Sequence, residues 1–473
     1  MQDIYNKLKE HNQEHVLKFI DELNPTQHCE LLQQLKHIDF DELDDLIKEY
    51  VLQEPEIKIP ADLAPAPFFP LKAKDVEQEK LYTEAKAKGV ELLQAGKVAA
   101  LTVAGGQGTR LGFDAPKGTY PITPVKNKSL FQYFAESLLR AGIKYGHDIT
   151  WYIMTSGMNN EATQEFFEKN NYFGLNQENV IFFVQGTMPA VDYNGKLLLA
   201  DKASLALAPD GHGGTLLALR RSGCLDRMKL DKVEYISYFQ VDNPLVPVVD
   251  PLFIGLHALQ KSDMSAIMLA KTNAFEKLGN FCISDNKLMI IEYSDLPDEF
   301  AKMKNSDGSL RFIAGSPAIH ILSCKFVSDL TKTGRLELPW HRADKKIKFV
   351  NDAGKLITPE EANGVKLESF IFDALQLAGK TMILEAAREE EFAPTKNKTG
   401  VDSVESCREM LIERDAKRLE RAGVKVPRDA NGKATLMIEI SPLAIIDDED
   451  ACSHCHAENI TKIDNNKDSI YLT

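Results

Sequence analysis

Residues 98–118 read VAALTVAGGQGTRLGFDAPKG, and this stretch decides the fold class. The first six residues are apolar or small and predict a buried strand, and the glycines that follow predict a tight turn. Glycine lets backbone amides approach phosphate oxygens closely, and free amides at such a turn bind anions. A strand that leads into a glycine turn is the first half of an α/β unit, so the stretch predicts an α/β fold with a nucleotide at the turn.

The spacing of the glycines argues against two common phosphate-binding patterns. A dinucleotide-binding turn has the pattern G-x-G-x-x-G, but the third position counted from Gly106 is Leu111, and Gly112 comes one residue late. A P-loop ends in Gly-Lys-Ser or Gly-Lys-Thr, whereas here Lys117 precedes Gly118. A dehydrogenase and a P-loop enzyme are therefore both disfavoured.

Two cations stand beside this turn. Arg110 and Lys117 place a guanidinium and an ammonium next to the free amides, a set that neutralises a triphosphate. The alternative is a structural turn with two solvated cations. The loop residues predicted to bind the nucleotide are Gly105, Gly106, Gly108 and Thr109.

Composition limits the partners of the chain. With 56 basic and 70 acidic residues among 473, the net charge is −14, which argues against nucleic acid but allows a small anionic substrate in a basic cleft. No apolar run of membrane-spanning length and no secretory leader pattern occur, so no membrane partner is expected. The seven scattered cysteines do not form a disulfide framework, and a cytoplasmic protein with reduced thiols is predicted.

Changes in sequence pattern predict three regions. Helical periodicity before residue 95 and five prolines between Pro55 and Pro70 predict a helical N-terminal unit at 1–95 with a proline-rich strap at 55–70. A catalytic domain is predicted at 96–385. A charged helix at 403–422 and a β-like segment at 434–440 predict a C-terminal module at 386–473.

The catalytic region alternates between apolar runs and helical stretches. The runs at 149–154, 180–184, 235–241 and 266–270 predict strands, and the stretches at 75–95, 129–141 and 251–259 predict helices. This alternation predicts a mostly parallel, Rossmann-like sheet flanked by helices.

Several motifs in order resemble the UDP-sugar pyrophosphorylase superfamily, and more closely its UDP-N-acetylhexosamine pyrophosphorylase branch. The branch signature L-x-x-G-G-x-G-T-x-L-G-x-x-x-P-K matches residues 101–117 apart from its first spacing. The resemblance continues through residues 185–190, 210–214, 241–243, Gly279, 292–294 and 366–368, and covers roughly residues 95–375.

The resemblance implies a reversible uridylyl transfer in a nucleotide-binding α/β fold, in which UTP and a sugar 1-phosphate give a UDP-sugar and pyrophosphate. A phosphate monoester with a second pKa near about 6 is already a nucleophile at neutral pH, so positioning and charge neutralisation are the main requirements. Arg110 is then expected to stabilise pyrophosphate and Lys117 to bridge phosphate oxygens. Lys366, which opens an apolar pattern of helical spacing, matches a family lysine that reaches the phosphates.

The resemblance assigns the remaining site residues. Asp242, at the end of a predicted strand, matches the aspartate that holds Mg²⁺; its alternative is a turn aspartate ahead of a proline. Gln185 carries the donor and acceptor groups needed to read part of the uracil edge. The turn residues predicted to contact base and ribose are Gly211, His212 and Gly213, and the residues predicted to contact the sugar are Gly279, Glu292 and Ser316.

Two departures from the branch concern the sugar. His212 stands where the branch usually has Asn, and Ser316 stands where it has Asn after an Ala-Gly pair. N-acetylglucosamine 1-phosphate remains the first expectation, and a UDP-glucose or broad-specificity pyrophosphorylase is the alternative. A non-catalytic nucleotide-sugar binding protein is disfavoured because none of the four expected residues is lost: Arg110, Lys117, Asp242 and Lys366 are all present.

The C-terminal segment Cys452-Ser453-His454-Cys455-His456 has the C-x-x-C-H spacing of haem attachment. Haem attachment requires export, and adjacent residues do not readily complete a zinc tetrahedron. The segment is interpreted as surface of the C-terminal tail.

Overall fold

The structure is a computed structural model that describes residues 2–53, 59–336, 338–464 and 467–473. The α-helices of these residues are α1 (Gln2–Glu10), α2 (Pro25–Lys36), α3 (Phe40–Leu46), α4 (Val76–Gln94), α5 (Leu130–Tyr145), α6 (Asn160–Lys169), α7 (Thr215–Arg221), α8 (Cys224–Leu230), α9 (Pro251–Leu259), α10 (Asp298–Ala301), α11 (Cys324–Leu330), α12 (Arg388–Glu391), α13 (Val404–Arg421) and α14 (Asp448–Ala457). None of these helices is long and apolar enough to cross a lipid bilayer.

The strands are mostly short. In chain order they are β1 (Ala64–Pro65), β2 (Val98–Val103), β3 (Trp151–Thr155), β4 (Val180–Val184), β5 (Thr187–Pro189), β6 (Val191–Asp192), β7 (Leu199–Asp201), β8 (Ser204–Leu205), β9 (Leu207–Pro209), β10 (Tyr235–Gln240), β11 (Met264–Ala270), β12 (Gly279–Ser284), β13 (Lys287–Ile291), β14 (Ala314–Ser316), β15 (His320–Ser323), β16 (Trp340–Lys345), β17 (Phe349–Val350), β18 (Leu356–Ile357), β19 (Gly364–Ser369), β20 (Thr381–Ala386), β21 (Met437–Ile440) and β22 (Ser469–Leu472).

The chain folds into two compact units. The small unit contains Met1–Ile59, Gln185–Leu216 and Glu337–Ala374, and the large unit contains Pro60–Val184, Leu217–Leu336 and Leu375–Thr473. These units are discontinuous in sequence, whereas the predicted regions 1–95, 96–385 and 386–473 are continuous. Long-range pairing, such as that of β6 with β19 in the small unit, brings distant segments together and leaves no local signal in the sequence.

The large unit is built on an eleven-stranded sheet with the order β1-β12-β14-β11-β15-β10-β2-β3-β4, to which β13 and β20 add at the side. Strands β10, β2, β3 and β4 are mutually parallel, as predicted, while β15 pairs antiparallel with both β10 and β11. The α/β class is confirmed, and the sheet is mixed rather than mostly parallel. Strand β2 is buried over nearly its whole length, as expected for a parallel strand covered on both faces.

Helices α4 and α9 pack with unusually close backbones. A Cβ added at Gly89 would lie 1.8 Å from the Pro251 oxygen, and one at Gly255 would lie 1.7 Å from the Ala85 oxygen. Only glycine permits this approach. The Asp75 side chain caps α4, and Gly96 follows that helix with a φ of +65°, so the predicted helix at 75–95 is confirmed.

The small unit combines helices with small sheets. The Asn24 side chain caps α2 by accepting from the Gln27 amide, and the Gln27 side chain completes a capping box. Strands β16, β19 and β6 form a three-stranded antiparallel sheet.

The helical pattern predicted to begin at Lys366 is wrong, because Lys366 lies inside strand β19. Val365, Leu367 and Ser369 are buried while the residues between them are partly exposed, which is the two-residue period of a strand. The apolar residues beyond position 369 had suggested a helical spacing, but the only helical structure there is the 3₁₀ turn Ile371–Gln376.

The C-terminal segment lies within the large unit. Helix α13 and strand β21 match the predicted helix and β-like segment, and β21 pairs with β22, which was not predicted. The C-x-x-C-H segment forms part of α14, where Cys455 is buried and Cys452 is exposed. Among the residues that the structure describes, no group of three or more His, Cys, Asp or Glu side chains is arranged to hold a metal.

Candidate active site

The glycine loop leaves strand β2 and forms an open cradle. The loop is closed by two backbone hydrogen bonds, from the Gly108 amide to the Ala115 oxygen and from the Lys117 amide to the Gly106 oxygen. A Cβ at Gly108 would lie 2.8 Å from Phe113, so glycine is required there, whereas a Cβ at Gly106 would meet nothing within 4 Å. Open space at Gly106 is the room that a phosphate group needs beside the backbone.

Arg110 and Lys117 have different surroundings in the large unit. Arg110 is exposed, and its guanidinium makes no hydrogen bond to any residue the structure describes, so it is available to an anion. The Lys117 Nζ lies 3.3 Å from Asp242 Oδ2, and the two side chains are only 12% and 11% exposed. The predicted phosphate-binding lysine and the predicted metal-binding aspartate are therefore brought together.

Asp242 lies two residues after the end of strand β10, and neighbouring backbone holds it in place. The backbone oxygen of Asp242 accepts from the Thr395 amide at 2.8 Å. The side chain of Asn243 donates to the Glu391 backbone oxygen at 2.7 Å and accepts from the Ala393 amide at 2.9 Å. Lys117 contacts only one carboxylate oxygen. The other is free of hydrogen bonds within the described chain, which fits a divalent cation that takes few protein oxygens and completes its shell with phosphates and waters.

The predicted sugar-binding residues also lie together in the large unit. Gly279 pairs with Ser316 across strands β12 and β14, and a Cβ at Gly279 would lie 3.5 Å from Glu292 Oε1. These three residues are thus neighbours, although they are up to 37 positions apart in sequence. The Ser316 hydroxyl, the Glu292 carboxylate and the backbone of Gly279, which carries no side chain, therefore lie close together. Such a set of polar groups suits the recognition of sugar hydroxyls.

A buried cation next to these residues escaped the sequence analysis. Lys271 is 6% exposed, and its Nζ donates to Asn280 Oδ1 at 2.6 Å and to the Ala274 oxygen at 3.2 Å. Burial lowers the pKa of Lys271 below its ordinary value. The available signal was a lysine directly after the apolar run of strand β11.

Gln185 and the glycine turn 211–214 belong to the small unit. Gln185 is 9% exposed, and its Nε2 donates to the Gly211 oxygen at 2.7 Å, so the predicted base-reading amide is fixed against the predicted turn. Gly211 has a φ of +85°, and a Cβ there would lie 2.2 Å from the Ser369 oxygen. A Cβ at Gly213 would lie 2.8 Å from the Phe370 amide, so the turn packs directly on strand β19 and its continuation.

His212 is held as a neutral donor. Its Nδ1 accepts from the Ile371 amide at 3.2 Å, which places the ring proton on Nε2. Burial lowers the pKa of His212 to about 4, with a further contribution from His341. The Nε2–H group therefore resembles the N–H of an asparagine amide, the residue that the family branch usually has here.

His212 also belongs to an aromatic stack that the sequence analysis did not predict. His212 and His341 both stack on Phe370, with centroid distances of 5.2 and 4.2 Å. The His341 Nε2 lies 2.8 Å from Asp373 Oδ2, a carboxylate that is almost fully buried. These residues come from separate segments, so no sequence spacing joins them.

Lys366 lies on strand β19 of the same small unit, opposite Ala343 of β16. It is partly exposed, and its ammonium makes no hydrogen bond or ion pair with the described residues of the chain. It is therefore free to bind an anion, as the motif implies, although from a strand rather than from the predicted helix.

Comparison with protein families identifies the chain's relatives. A family model described as UTP–glucose-1-phosphate uridylyltransferase matches residues 45–439. The human UDP-N-acetylhexosamine pyrophosphorylase-like protein 1 is 35% identical over 93% of this chain and 92% of its own length. The UDP-N-acetylglucosamine pyrophosphorylase of Saccharomyces cerevisiae is 37% identical over 75% of each chain.

Solved structures give the same picture. The UDP-N-acetylglucosamine pyrophosphorylase of Trypanosoma brucei, solved with an inhibitor, superposes with a TM-score of 0.83 at 25% identity over 99% of this chain and 97% of its own. A putative UDP-N-acetylglucosamine pyrophosphorylase of Entamoeba histolytica gives 0.75 at 33% identity over 87% and 98%.

Proposed function

The chain belongs to the UTP–glucose-1-phosphate uridylyltransferase family, and from this membership we propose that it joins UTP and N-acetylglucosamine 1-phosphate into UDP-N-acetylglucosamine and pyrophosphate. The relatives described above are named for UDP-N-acetylhexosamine or UDP-N-acetylglucosamine. Their names support N-acetylglucosamine 1-phosphate over glucose 1-phosphate as the substrate. The observation that carries the proposal is the Lys117–Asp242 pair beside the open glycine loop.

The reaction needs little proton transfer. The sugar phosphate is already a dianion near neutral pH and attacks the α-phosphorus of UTP in line, while pyrophosphate leaves. The protein must therefore hold two anions against each other and neutralise the charge that grows on the leaving group.

Each cation has a role that its surroundings support. The loop amides at Gly105 and Gly106 hold the triphosphate, and exposed Arg110 stabilises the departing pyrophosphate. Lys117 bridges phosphate oxygens near the α-phosphorus, and Lys366 supplies a further ammonium to the phosphates.

Mg²⁺ is the proposed cofactor, with Asp242 as its protein ligand. A bound Mg²⁺ neutralises and orients phosphate oxygens. Lys117, whose Nζ lies 3.3 Å from one Asp242 oxygen, orients the carboxylate for the metal.

Base and sugar recognition use neutral groups. Gln185 is proposed to read the uracil edge, and Gly211 and Gly213 allow the ribose to lie against bare backbone. His212 donates from Nε2 without bringing a charge, and Glu292 accepts from sugar hydroxyls. All seven cysteines are free, which supports a location in the reducing cytoplasm. The proposed partners are small molecules.

Glucose 1-phosphate is a second candidate acceptor, because Ser316 is shorter than the asparagine usual in the branch and reaches less far toward an acetamido group. The test is pyrophosphate release from UTP and Mg²⁺ with a panel of sugar 1-phosphates, beside an Arg110→Ala variant. Release with N-acetylglucosamine 1-phosphate and its loss in Arg110→Ala are expected. No release with any sugar would contradict the enzyme assignment, and a preference for glucose 1-phosphate would reverse the substrate assignment.

A further inference from the structure

A cavity of about 650 Å³ opens in the large unit beside the segment that follows Asp242. Residues 244–251, which connect Asp242 and Asn243 to helix α9, form one wall. Apolar side chains such as Val90 and Ile446 form another part, and Arg418 of helix α13 also lines the cavity. The cavity thus combines an apolar lining with a guanidinium.

Arg418 lacks an acceptor. Its side chain is 12% exposed, and its buried Nε has no hydrogen-bond partner among the described residues. The nearest carboxylate oxygen, Asp448 Oδ1, is 3.8 Å away, and Arg421 already binds that carboxylate at 2.8 Å. A guanidinium carries five N–H donors, and a buried charge without compensation is costly. Arg418 therefore has a buried donor without an acceptor, and its ion pair with Asp448 is long.

The acidic groups that line the same cavity are already engaged. Glu390 is bound by Arg421 at 2.9 Å, and Glu449 forms an ion pair with Lys86. Asp447 is paired with Lys144, on helix α5. Each of these carboxylates already has a cationic partner, and these partners reduce its repulsion of an incoming anion.

Two further acidic groups, Glu391 and Asp250, line the wall. Burial raises the pKa of Glu391 to about 8, so at neutral pH this carboxyl is largely protonated and offers an O–H donor. The Asp250 side chain accepts from the Leu252 amide and caps helix α9.

The cavity is connected to the proposed metal-binding residue. Glu391 lines the cavity with its side chain, while its backbone oxygen accepts from Asn243 Nδ2 at 2.7 Å. The amide of Thr395, four residues after Glu391, donates to the backbone oxygen of Asp242 at 2.8 Å. A ligand that moves Glu391 or the 244–251 wall therefore acts directly on the backbone that positions Asp242.

We propose that this cavity, the Arg418 cavity, is an effector site for a compact organic oxyanion with an apolar body, and that its occupation changes the affinity for Mg²⁺ and UTP through Asn243. The oxyanion binds the guanidinium in a bidentate manner, and its apolar body packs on Val90 and Ile446. A carboxylate and a phosphate ester share this chemistry. The regulatory part rests on the proposed function, whereas the binding part does not.

Binding is tested by calorimetry on the full-length protein with two probes, benzoate and phenyl phosphate. Arg418→Met is compared with Arg227→Met, a control at an exposed i,i+4 ion pair. We expect saturable binding of at least one probe, weakened tenfold or more in Arg418→Met and unchanged in the control. The probe that binds identifies the anion as carboxylate or phosphate. No binding of either probe at about 10 mM, a concentration that would largely fill a site with a Kd of about 1 mM, or equal binding by Arg418→Met, would overturn the proposal.

A second variant separates binding from folding. Ile446→Phe narrows the cavity and leaves the guanidinium in place, so it is expected to weaken binding of the probe even if Arg418→Met is unstable. Retained affinity for the probe would overturn the proposal.

The kinetic experiment tests the regulatory part. The probe is expected to shift the KM for UTP and the Mg²⁺ requirement of the wild type, but not those of Arg418→Met. Simple competition of the probe with UTP, equal in both proteins, would place the anion in the triphosphate site and contradict the proposal. Because calorimetry needs no turnover, failure of the proposed function would leave the binding result readable.

Discussion

Lys117 Nζ and Asp242 Oδ2 lie 3.3 Å apart, and both side chains are nearly nine-tenths buried. Lys117 lies on the glycine loop and Asp242 lies just beyond strand β10, 125 residues later in the sequence. The fold nevertheless brings this cation and this carboxylate into contact at the edge of the parallel strands. Parallel strands present ligand-binding residues at their carboxyl ends, and both residues follow such ends. This pair is the geometric centre of the proposed chemistry in the large unit.

Replacing Lys117 by methionine keeps the length of the side chain but removes its charge. We expect kcat to fall by about 10²- to 10³-fold, the loss typical of one electrostatic contact to a transition state. The measurement is pyrophosphate release at saturating substrates. Lys169→Met, on the exposed face of helix α6, is the matched control and should keep its activity. A loss of less than threefold in Lys117→Met would contradict the role.

Asp242→Asn tests the metal assignment separately. The amide keeps the shape of the carboxylate but loses the charge, so the Mg²⁺ concentration for half-maximal rate should rise by about tenfold or more. A Mg²⁺ titration of the rate measures this shift. Asp226→Asn, at an exposed position on helix α8, should leave the titration unchanged. An unaltered titration in Asp242→Asn would remove this residue as the ligand.

The glycine loop and strands β2, β3, β4, β10 and β11 of the large unit could be predicted from the sequence because their signals are local. The apolar run at 98–103 and the glycines after it predict a strand and a turn without reference to other residues, and both are present. Lys366 was misplaced because residues 367–375 also fit a helical spacing, and only pairing with β16 and β6 selects the strand. The stack of His212, Phe370 and His341 depends on contacts between separate segments, which no spacing reports.

Ser316 provides a test of sugar selection. Ser316 is partly exposed and pairs with Gly279, next to Glu292, so an asparagine there has a longer polar side chain beside the predicted sugar contacts. We expect Ser316→Asn to lower the KM for N-acetylglucosamine 1-phosphate by about threefold to tenfold, the value of one added hydrogen bond, while the KM for UTP stays constant.

The control for this experiment is Ser309→Asn, on an exposed turn of the same unit. It should change neither constant. An equal improvement for glucose 1-phosphate in Ser316→Asn would show that position 316 does not distinguish the acetamido group.

His257 makes the stability of the large unit depend on pH. The imidazole is fully buried, with Nδ1 2.7 Å from Ser265 Oγ and Nε2 3.0 Å from Ser323 Oγ. The Ser323 hydroxyl donates to the Ser262 oxygen, so it accepts from Nε2, and the neutral ring is satisfied on both sides. Burial lowers the pKa of His257 to about 3, far below the value of about 6.5 for an unfolded chain.

Between these two pKa values the unfolded chain binds a proton that the folded chain does not, so stability must fall as the pH drops below about 6.5. From pH 7.5 to pH 5 this single group should cost about 2 kcal/mol, because the full slope of about 1.36 kcal/mol per pH unit applies only once the unfolded histidine is largely protonated. His257→Gln keeps a neutral polar side chain that cannot be protonated, so its urea midpoint should fall less than that of the wild type between pH 7.5 and pH 5. His28→Gln, at a partly exposed position on helix α2, should follow the wild type. The same decrease in His257→Gln and in the wild type would mean that His257 is not the group that titrates, because all other carboxylates and histidines are common to both proteins.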